Sequence, residues 1–225
     1  DAAGTITLDD STITAAGGAK DGSGTQGAGA SITFSNKVAL TTGSAEISTG
    51  ATAGHIAFQN TVNGGQDLSL TAGTGNVTLT GAVGGTNRLG AITINSAADV
   101  TANAITAGSL DQLAGTGTTT FNGAVDTNGV VNRTVSDTFA VAIVTDKLVV
   151  NSTITTASAT GGADVEFLLA SQIDIAAAGD ITADGNVLMT ASPTGVINTA
   201  GDITTDAASV QFDSATTLTG NVEIA

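Results

Sequence analysis

The sequence predicts an all-β chain wound as a single-stranded, right-handed parallel β-helix, a β-solenoid of about ten coils of roughly 21 residues each. Three observations lead there. Phe34, Phe58, Leu79, Val100 and Phe121 recur at intervals of 24, 21, 21 and 21 residues, and Val38, Val62, Val83, Ala104 and Val125 repeat that spacing four places later. Short apolar-polar-apolar alternations, the mark of a strand with one buried face, run from Ile6-Thr-Leu8 to Val210-Gln-Phe212. Gly, Asn and Asp punctuate them as corner residues that tolerate a positive φ. Helix is disfavoured, because β-branched residues and Gly dominate and no i, i+3, i+4, i+7 apolar run is sustained.

In chain order, Ile6-Thr-Leu8 is the first strand, and Leu8 precedes Phe34 by 26 residues as the first marker. Residues 16–29, rich in Gly, Ala and Ser, are expected to bulge from the stack. Ile32-Thr-Phe34 and Ile56-Ala-Phe58 open consecutive coils, and Phe58-Gln-Asn-Thr-Val62 and Phe121-Asn-Gly-Ala-Val125 read almost as copies. Leu68-Ser-Leu70, Val77-Thr-Leu79 and Ile92-Thr-Ile94 are further strands, separated by corners at Gly73-Thr-Gly75 and Gly84-Gly-Thr-Asn87. Asn36 and Asn60, each two places after a Phe marker, predict a short inward ladder of amides. Val150 lies 29 residues beyond Phe121, so a second bulge is expected over 128–144. Leu169, Met189 and Phe212 then extend the markers at 19, 20 and 23.

The fixed register separates this reading from a sandwich, whose strands and loops vary in length. Ten coils at about 4.8 Å per step give a rod on the order of 50 Å long. Residues 1–225 form one continuous unit, with no linker between halves of different character. The chain opens at Asp1 without a Met and stops at Ala225 within a strand-like pattern, so it is read as a fragment of a longer polypeptide.

Composition agrees. Hydrophobic residues make up 41%, but aromatics only 3%, so Ala, Val, Ile and Leu must fill a narrow interior. Only 11% of residues are charged, leaving Thr, Ser, Asn and Gly to provide the wetted surface. The net charge of −15, from 20 acidic and five basic residues, repels phosphate backbones and anionic lipid. Nucleic-acid binding and membrane insertion are thereby excluded as expectations, the latter also because no apolar run approaches a membrane span. Cys is absent, which excludes a disulfide scaffold.

Ile173-Asp-Ile-Ala-Ala-Ala-Gly-Asp-Ile-Thr182 and Gly195-Val-Ile-Asn-Thr-Ala-Gly-Asp-Ile-Thr204 share Ala-Gly-Asp-Ile-Thr 22 residues apart, and Gly75-Asn-Val-Thr-Leu-Thr-Gly-Ala-Val83 is of similar type. These stretches resemble the repeats of filamentous-haemagglutinin-like exoproteins and giant bacterial surface proteins. The resemblance implies a secreted or surface-displayed β-helix at the bacterial exterior, associated with the outer membrane, acting as an adhesin shaft or matrix component. It implies partners among host-cell, neighbouring-cell or matrix surface components, glycans included, and homotypic association.

Candidate chemistry is sparse. His55, the sole imidazole, sits at a strand start facing outward, without the His or Cys neighbours of a metal site. Asp9-Asp10 is the one adjacent acidic pair, and neighbours in a strand point to opposite faces, so the two do not converge as the alternative of a carbohydrate-active enzyme would require. Lys20, Lys37, Arg88, Arg133 and Lys147 are scattered. Asp and Asn at corners could hold calcium weakly, yet Gly64-Gly-Gln-Asp67 and Gly17-Gly-Ala-Lys-Asp21 miss the calcium-binding Gly-Gly-x-Gly-x-Asp spacing. Thr5-Ile-Thr7, Thr12-Ile-Thr14 and Thr118-Thr-Thr120 form no continuous register, as an ice-binding face would need. No catalytic, cofactor-binding or metal residue is therefore assigned. The expectation is a structural or adhesive shaft, not an enzyme.

Overall fold

The computed structural model describes residues 4–15, 29–132, 138–159, 162–192, 194–206 and 208–225. These residues form strands and turns without helix, and their strands pair in parallel, with a single antiparallel exception at Val131↔Phe139 and Asn132↔Thr138. Apart from that one pair, successive strands among the described residues do not pair with each other. Each pairs with the strand one repeat away, which is the arrangement of a parallel β-solenoid.

The pairings fall into three columns. The first stacks Ile32–Phe34, Ile56–Phe58, Val77–Leu79, Val100–Ala102 and Thr118–Phe121. It continues through residues 147–150 and 172–175 to Val196–Thr199 and Ala215–Leu218. The second runs from Thr5–Leu8 through Lys37–Leu40 and Val62–Gly64 to a bridge at Val83, then through Ile105, Val125–Thr127, Ile154–Thr156, Ile181–Ala183 and Ile203–Thr205 to Ile224. The third begins with Thr12–Thr14, Ala45–Ser48, Leu68–Thr71 and Leu89–Ser96. It ends, beyond residues 110–112, 141–143 and 165–169, with Val187–Ala191 and Val210–Phe212. The long strands Ile105–Gln112, Thr138–Val150 and Asp164–Ile175 bend from one column into the next.

The sheet is curled, and its concave side holds one continuous apolar core to which all three columns contribute. Phe34, Phe58, Leu79, Ala102 and Phe121 lie directly over one another, all buried. The Phe34 and Phe58 rings stack with centroids 4.7 Å apart and planes 10° apart. Each fully buried large side chain contributes about 1.5–3 kcal/mol relative to exposure. A rung gains this only when its neighbour covers it, so stability accrues per interface. Threonines close the interior at the corners: Thr49, Thr156 and Thr199 are buried, and their hydroxyls donate to the carbonyls of Gly54, Ala163 and Gly201 at 2.7, 2.7 and 2.8 Å.

Several expectations shift. Ala102, not Val100, continues the Phe column, and Ile105, not Ala104, continues the Val column. A strand presents two inward positions two residues apart, and the interval after Leu79 is 23, so counting at 21 lands on Val100; the interval after Val83 is 22, so the same count falls one residue short of Ile105. Leu8 belongs to the second column, paired with Leu40. Leu169, Met189 and Phe212 belong to the third, whereas Ile175, Thr199 and Leu218 follow Val150 in the first. Apolar inward positions recur in all three columns, so the marker series crossed between them.

The bulge expected over 128–144 is smaller than that span. Thr138–Val150 is a strand, and Ala140, Val141, Ala142 and Ile143 are buried; Val131–Asn132 pairs antiparallel with residues 138–139, and residues 133–137 lie outside the described residues. Of the bulge expected over 16–29, residues 16–28 lie outside the described residues, while the Gly29 N–H donates to Thr52 Oγ1 at 2.8 Å. The inward Asn ladder does not form: Asn36 and Asn60 are half-buried at the surface, and Asn60 Oδ1 accepts from the neighbouring Thr61 N–H. Positive φ among the described residues falls on glycines and Asp10 alone, so the corner Asn and Asp residues have another task.

Candidate functional surface

That task is visible on the outside of the stack. Ahead of the first column, the His55 N–H donates to Ser31 Oγ at 3.1 Å, and the Asn76 N–H donates to His55 Nδ1 at 3.0 Å. The Asp99 N–H then donates to Asn76 Oδ1 at 3.1 Å, and the Thr118 N–H to Asp99 Oδ1 at 2.8 Å. The side chain of one rung thus accepts the backbone amide of the next, step after step. The same device recurs ahead of the second column, where Asp180 Oδ1 accepts from the Asp202 N–H at 2.9 Å and Asp202 Oδ1 from the Glu223 N–H at 2.7 Å. Ahead of the third, Asp67 accepts from Ala91, Asp164 from Asn186 and Asn186 from Ser209, at 2.7, 2.7 and 3.1 Å.

Glycine makes room for this. A Cβ on Gly90 would stand 2.1 Å from Asp67 Oδ1, one on Gly117 2.3 Å from Asp99 Oδ1, and one on Gly185 2.2 Å from Asp164 Oδ1. Each glycine precedes the residue whose N–H the carboxylate takes. The repeated Ala-Gly-Asp-Ile-Thr therefore has a physical meaning: Asp180 and Asp202 pin the rung above them.

The ladders also place the candidate residues. His55 is exposed, as expected, but its ring is a structural acceptor. Asp9 and Asp10 are exposed in the turn after Leu8, where Asp10 has φ 43° and donates its N–H to the Thr42 carbonyl at 2.7 Å. Lys20 and Arg133 lie outside the described residues, and Lys37 is exposed. The Arg88 guanidinium ties three rungs together, donating to the carbonyls of Ala107 and Asp126 at 2.8 Å each and to Asp126 Oδ2 at 2.9 Å. Lys147 Nζ sits 2.7 Å from Asp174 Oδ2, on the outer face of the first column. Partial burial of Asp174 pushes its carboxyl up, but hydrogen bonds from Asn198, Lys147 and Gln172 and the Lys147 charge outweigh it, holding the group below the ordinary carboxylate range. Among the described residues no three His, Cys, Asp or Glu side chains gather as a metal site would require.

The outward faces differ in character. Thr33, Ala57, Thr78, Thr101 and Thr120 form one rank on the first column, and Thr155, Thr182 and Thr204 another on the second. Apart from Thr120, the residues of these ranks lie outside the Thr-x-Thr motifs that begin at Thr5, Thr12 and Thr118. Thr5 and Thr7 face Lys37 and Ala39, and Thr12 and Thr14 face Glu46 and Ser48, so those two motifs do not extend, whereas Thr118-Thr-Thr120 joins the rank through Thr120, which lies over Thr101, while Thr118 faces Lys147. On the third column Val144 lies over Leu168, and Glu166 over Leu188, all half-buried. A groove of about 550 Å³ runs between Val144, Leu168, Leu169, Thr190 and Asp213. Another of about 470 Å³ crosses three rungs between Thr156, Ser158, Thr182, Asp184, Thr204 and Asp206.

No family model, no curated protein and no solved structure matches this chain.

Proposed function

We propose that this chain is a structural and adhesive shaft segment of a secreted or cell-surface bacterial exoprotein, built as a closed right-handed parallel β-helix of about ten coils. The observation that carries the reading is the rung-on-rung parallel pairing in three columns, pinned outside by ladders in which the acidic side chains accept backbone amides. Those carboxylates hold the stack together and are spaced a rung apart, not converged on a reacting atom. The work that follows from such a design is mechanical: to project or space other domains while presenting long shallow faces. The half-buried Val144, Leu168 and Leu188 and the groove beside them suit contact with surface components or with another copy.

Two measurements on the purified chain test this together. Beads coated with it are expected to adhere to cells or matrix glycans, and electron microscopy is expected to show particles that lengthen by about 4.8 Å for each rung inserted. Turnover of any member of a panel of acidic polysaccharides would instead favour the carbohydrate-active alternative.

A further inference from the structure

We propose that His55 makes the seam ahead of the first column responsive to acid. Four side chains accept a backbone amide along that seam: Ser31, His55, Asn76 and Asp99. A hydroxyl and an amide oxygen keep their lone pairs at every moderate pH, and a carboxylate keeps its charge down to about pH 4. An imidazole nitrogen does not. It accepts only while neutral, and imidazole is the side-chain class that gains its proton in mild acid. Nδ1 of His55 stands 3.0 Å from the Asn76 nitrogen as acceptor, so Nε2 carries the hydrogen. When Nδ1 is protonated, two donors face each other at hydrogen-bond distance and the ring must swing out, leaving the Asn76 N–H to water.

Among the described residues, the elements packed against His55 supply no charge to compensate the new one. The neighbouring rungs Ile32–Phe34 and Val77–Leu79, and the corners at 50–54 and 72–76, carry no titratable side chain. The nearest one on the ladder is Asp99, one rung beyond Asn76. The exposed ring reaches solvent protons freely. The effect is local, because Ile56 still donates its own N–H to the Asn76 carbonyl at 2.9 Å and keeps the rungs paired. Acid therefore loosens one pin between the rungs of His55 and Asn76 and leaves the next ones shut.

Amide hydrogen exchange of the whole chain, followed by NMR and normalised for the intrinsic pH dependence of exchange, tests this. Between about pH 7.5 and pH 5, protection of the Asn76 amide is expected to fall roughly two- to ten-fold, the value of one hydrogen bond. The Asp99 and Thr118 amides, whose acceptors are Asn76 and Asp99, are expected to stay unchanged over that range. His55→Asn restores an acceptor without a proton to gain and is expected to abolish the fall at Asn76. Constant protection of Asn76 in the unsubstituted chain would overturn the proposal. So would an equal fall at all three amides, which is general acid loosening, or an undiminished fall in His55→Asn.

Discussion

Replacing Gly90 by Ala sets a methyl group 2.1 Å from Asp67 Oδ1, a separation no carbon and oxygen can hold. The other contacts of that methyl lie at 3.3 Å, and Gly90 has no positive φ, so the carboxylate is the obstacle and backbone strain is not. Asp67 is exposed and can swing away, but it then gives up the Ala91 N–H it accepts at 2.7 Å. That bond, to a charged but exposed acceptor, is worth about 1–1.5 kcal/mol. The Ala side chain returns about 0.4–1 kcal/mol by restricting the unfolded chain. Gly90→Ala should therefore cost about 0–1 kcal/mol, and Asp67→Ala about 1–1.5 kcal/mol. The double variant loses the bond only once and has space for the methyl, so it should be no worse than Asp67→Ala alone. The coupling, about 1 kcal/mol, is read from urea unfolding midpoints at unchanged slope. Losses that simply add in the double variant would refute the pinning role of the carboxylate.

Phe58→Ala, which empties the interior beside a ring stacked at 4.7 Å, should cost about 3–5 kcal/mol in the same assay, whereas Thr33→Ala on the outer face of the neighbouring rung should fall within about 0.5 kcal/mol of no change. Asp174, held below the ordinary carboxylate range, contributes stability that is present above about pH 4 and lost as the pH falls through its lower native value. Asp174→Asn should thus lower the unfolding free energy at pH 7, read from the urea midpoint, by about 1 kcal/mol for a half-exposed network, and the difference should vanish in strong acid. Arg88→Lys keeps the charge but cannot reach two carbonyls and a carboxylate at once, and should cost about 1 kcal/mol and raise amide exchange in the second column.

The stacking was legible because its strongest marks are inward and large: Phe34, Phe58, Leu79 and Phe121 do share one column, as do Val38, Val62, Val83 and Val125. Ala102 was misplaced because its small side chain carries little signal beside Val100, and Ile105 because the corner before it is one residue longer than the count of 21 assumed. The pins were illegible as contacts, since the partner of Asp67 or Asp180 is a backbone amide a whole rung away, which leaves no trace in residue type. Two local signs accompany them. An Asp or Asn stands immediately before the first apolar residue of a strand, as in Asp67-Leu68, Asn76-Val77, Asp99-Val100, Asp180-Ile181 and Asp202-Ile203, and a Gly precedes several of the donors. Corner Asn and Asp residues in general were expected to tolerate positive φ, which among the described non-glycine residues Asp10 alone adopts. Their geometry instead explains part of the acidity of the chain, because a carboxylate accepts an amide better than a neutral oxygen does.

Distances between spin labels along one outer rank would probe the parallel stacking most directly, and a chain without Cys permits it cleanly. Thr33, Thr120 and Thr217 occupy equivalent outward positions in the first column, four and eight rungs apart by register. Cys substitutions carrying labels at positions 33 and 120 should lie about 19 Å apart, and those at 33 and 217 about 38 Å, a straight line at about 4.8 Å per rung. Equal separations for the two pairs, or a 33–217 distance shorter than the 33–120 distance, would mean that the chain folds back on itself and that the stack does not exist.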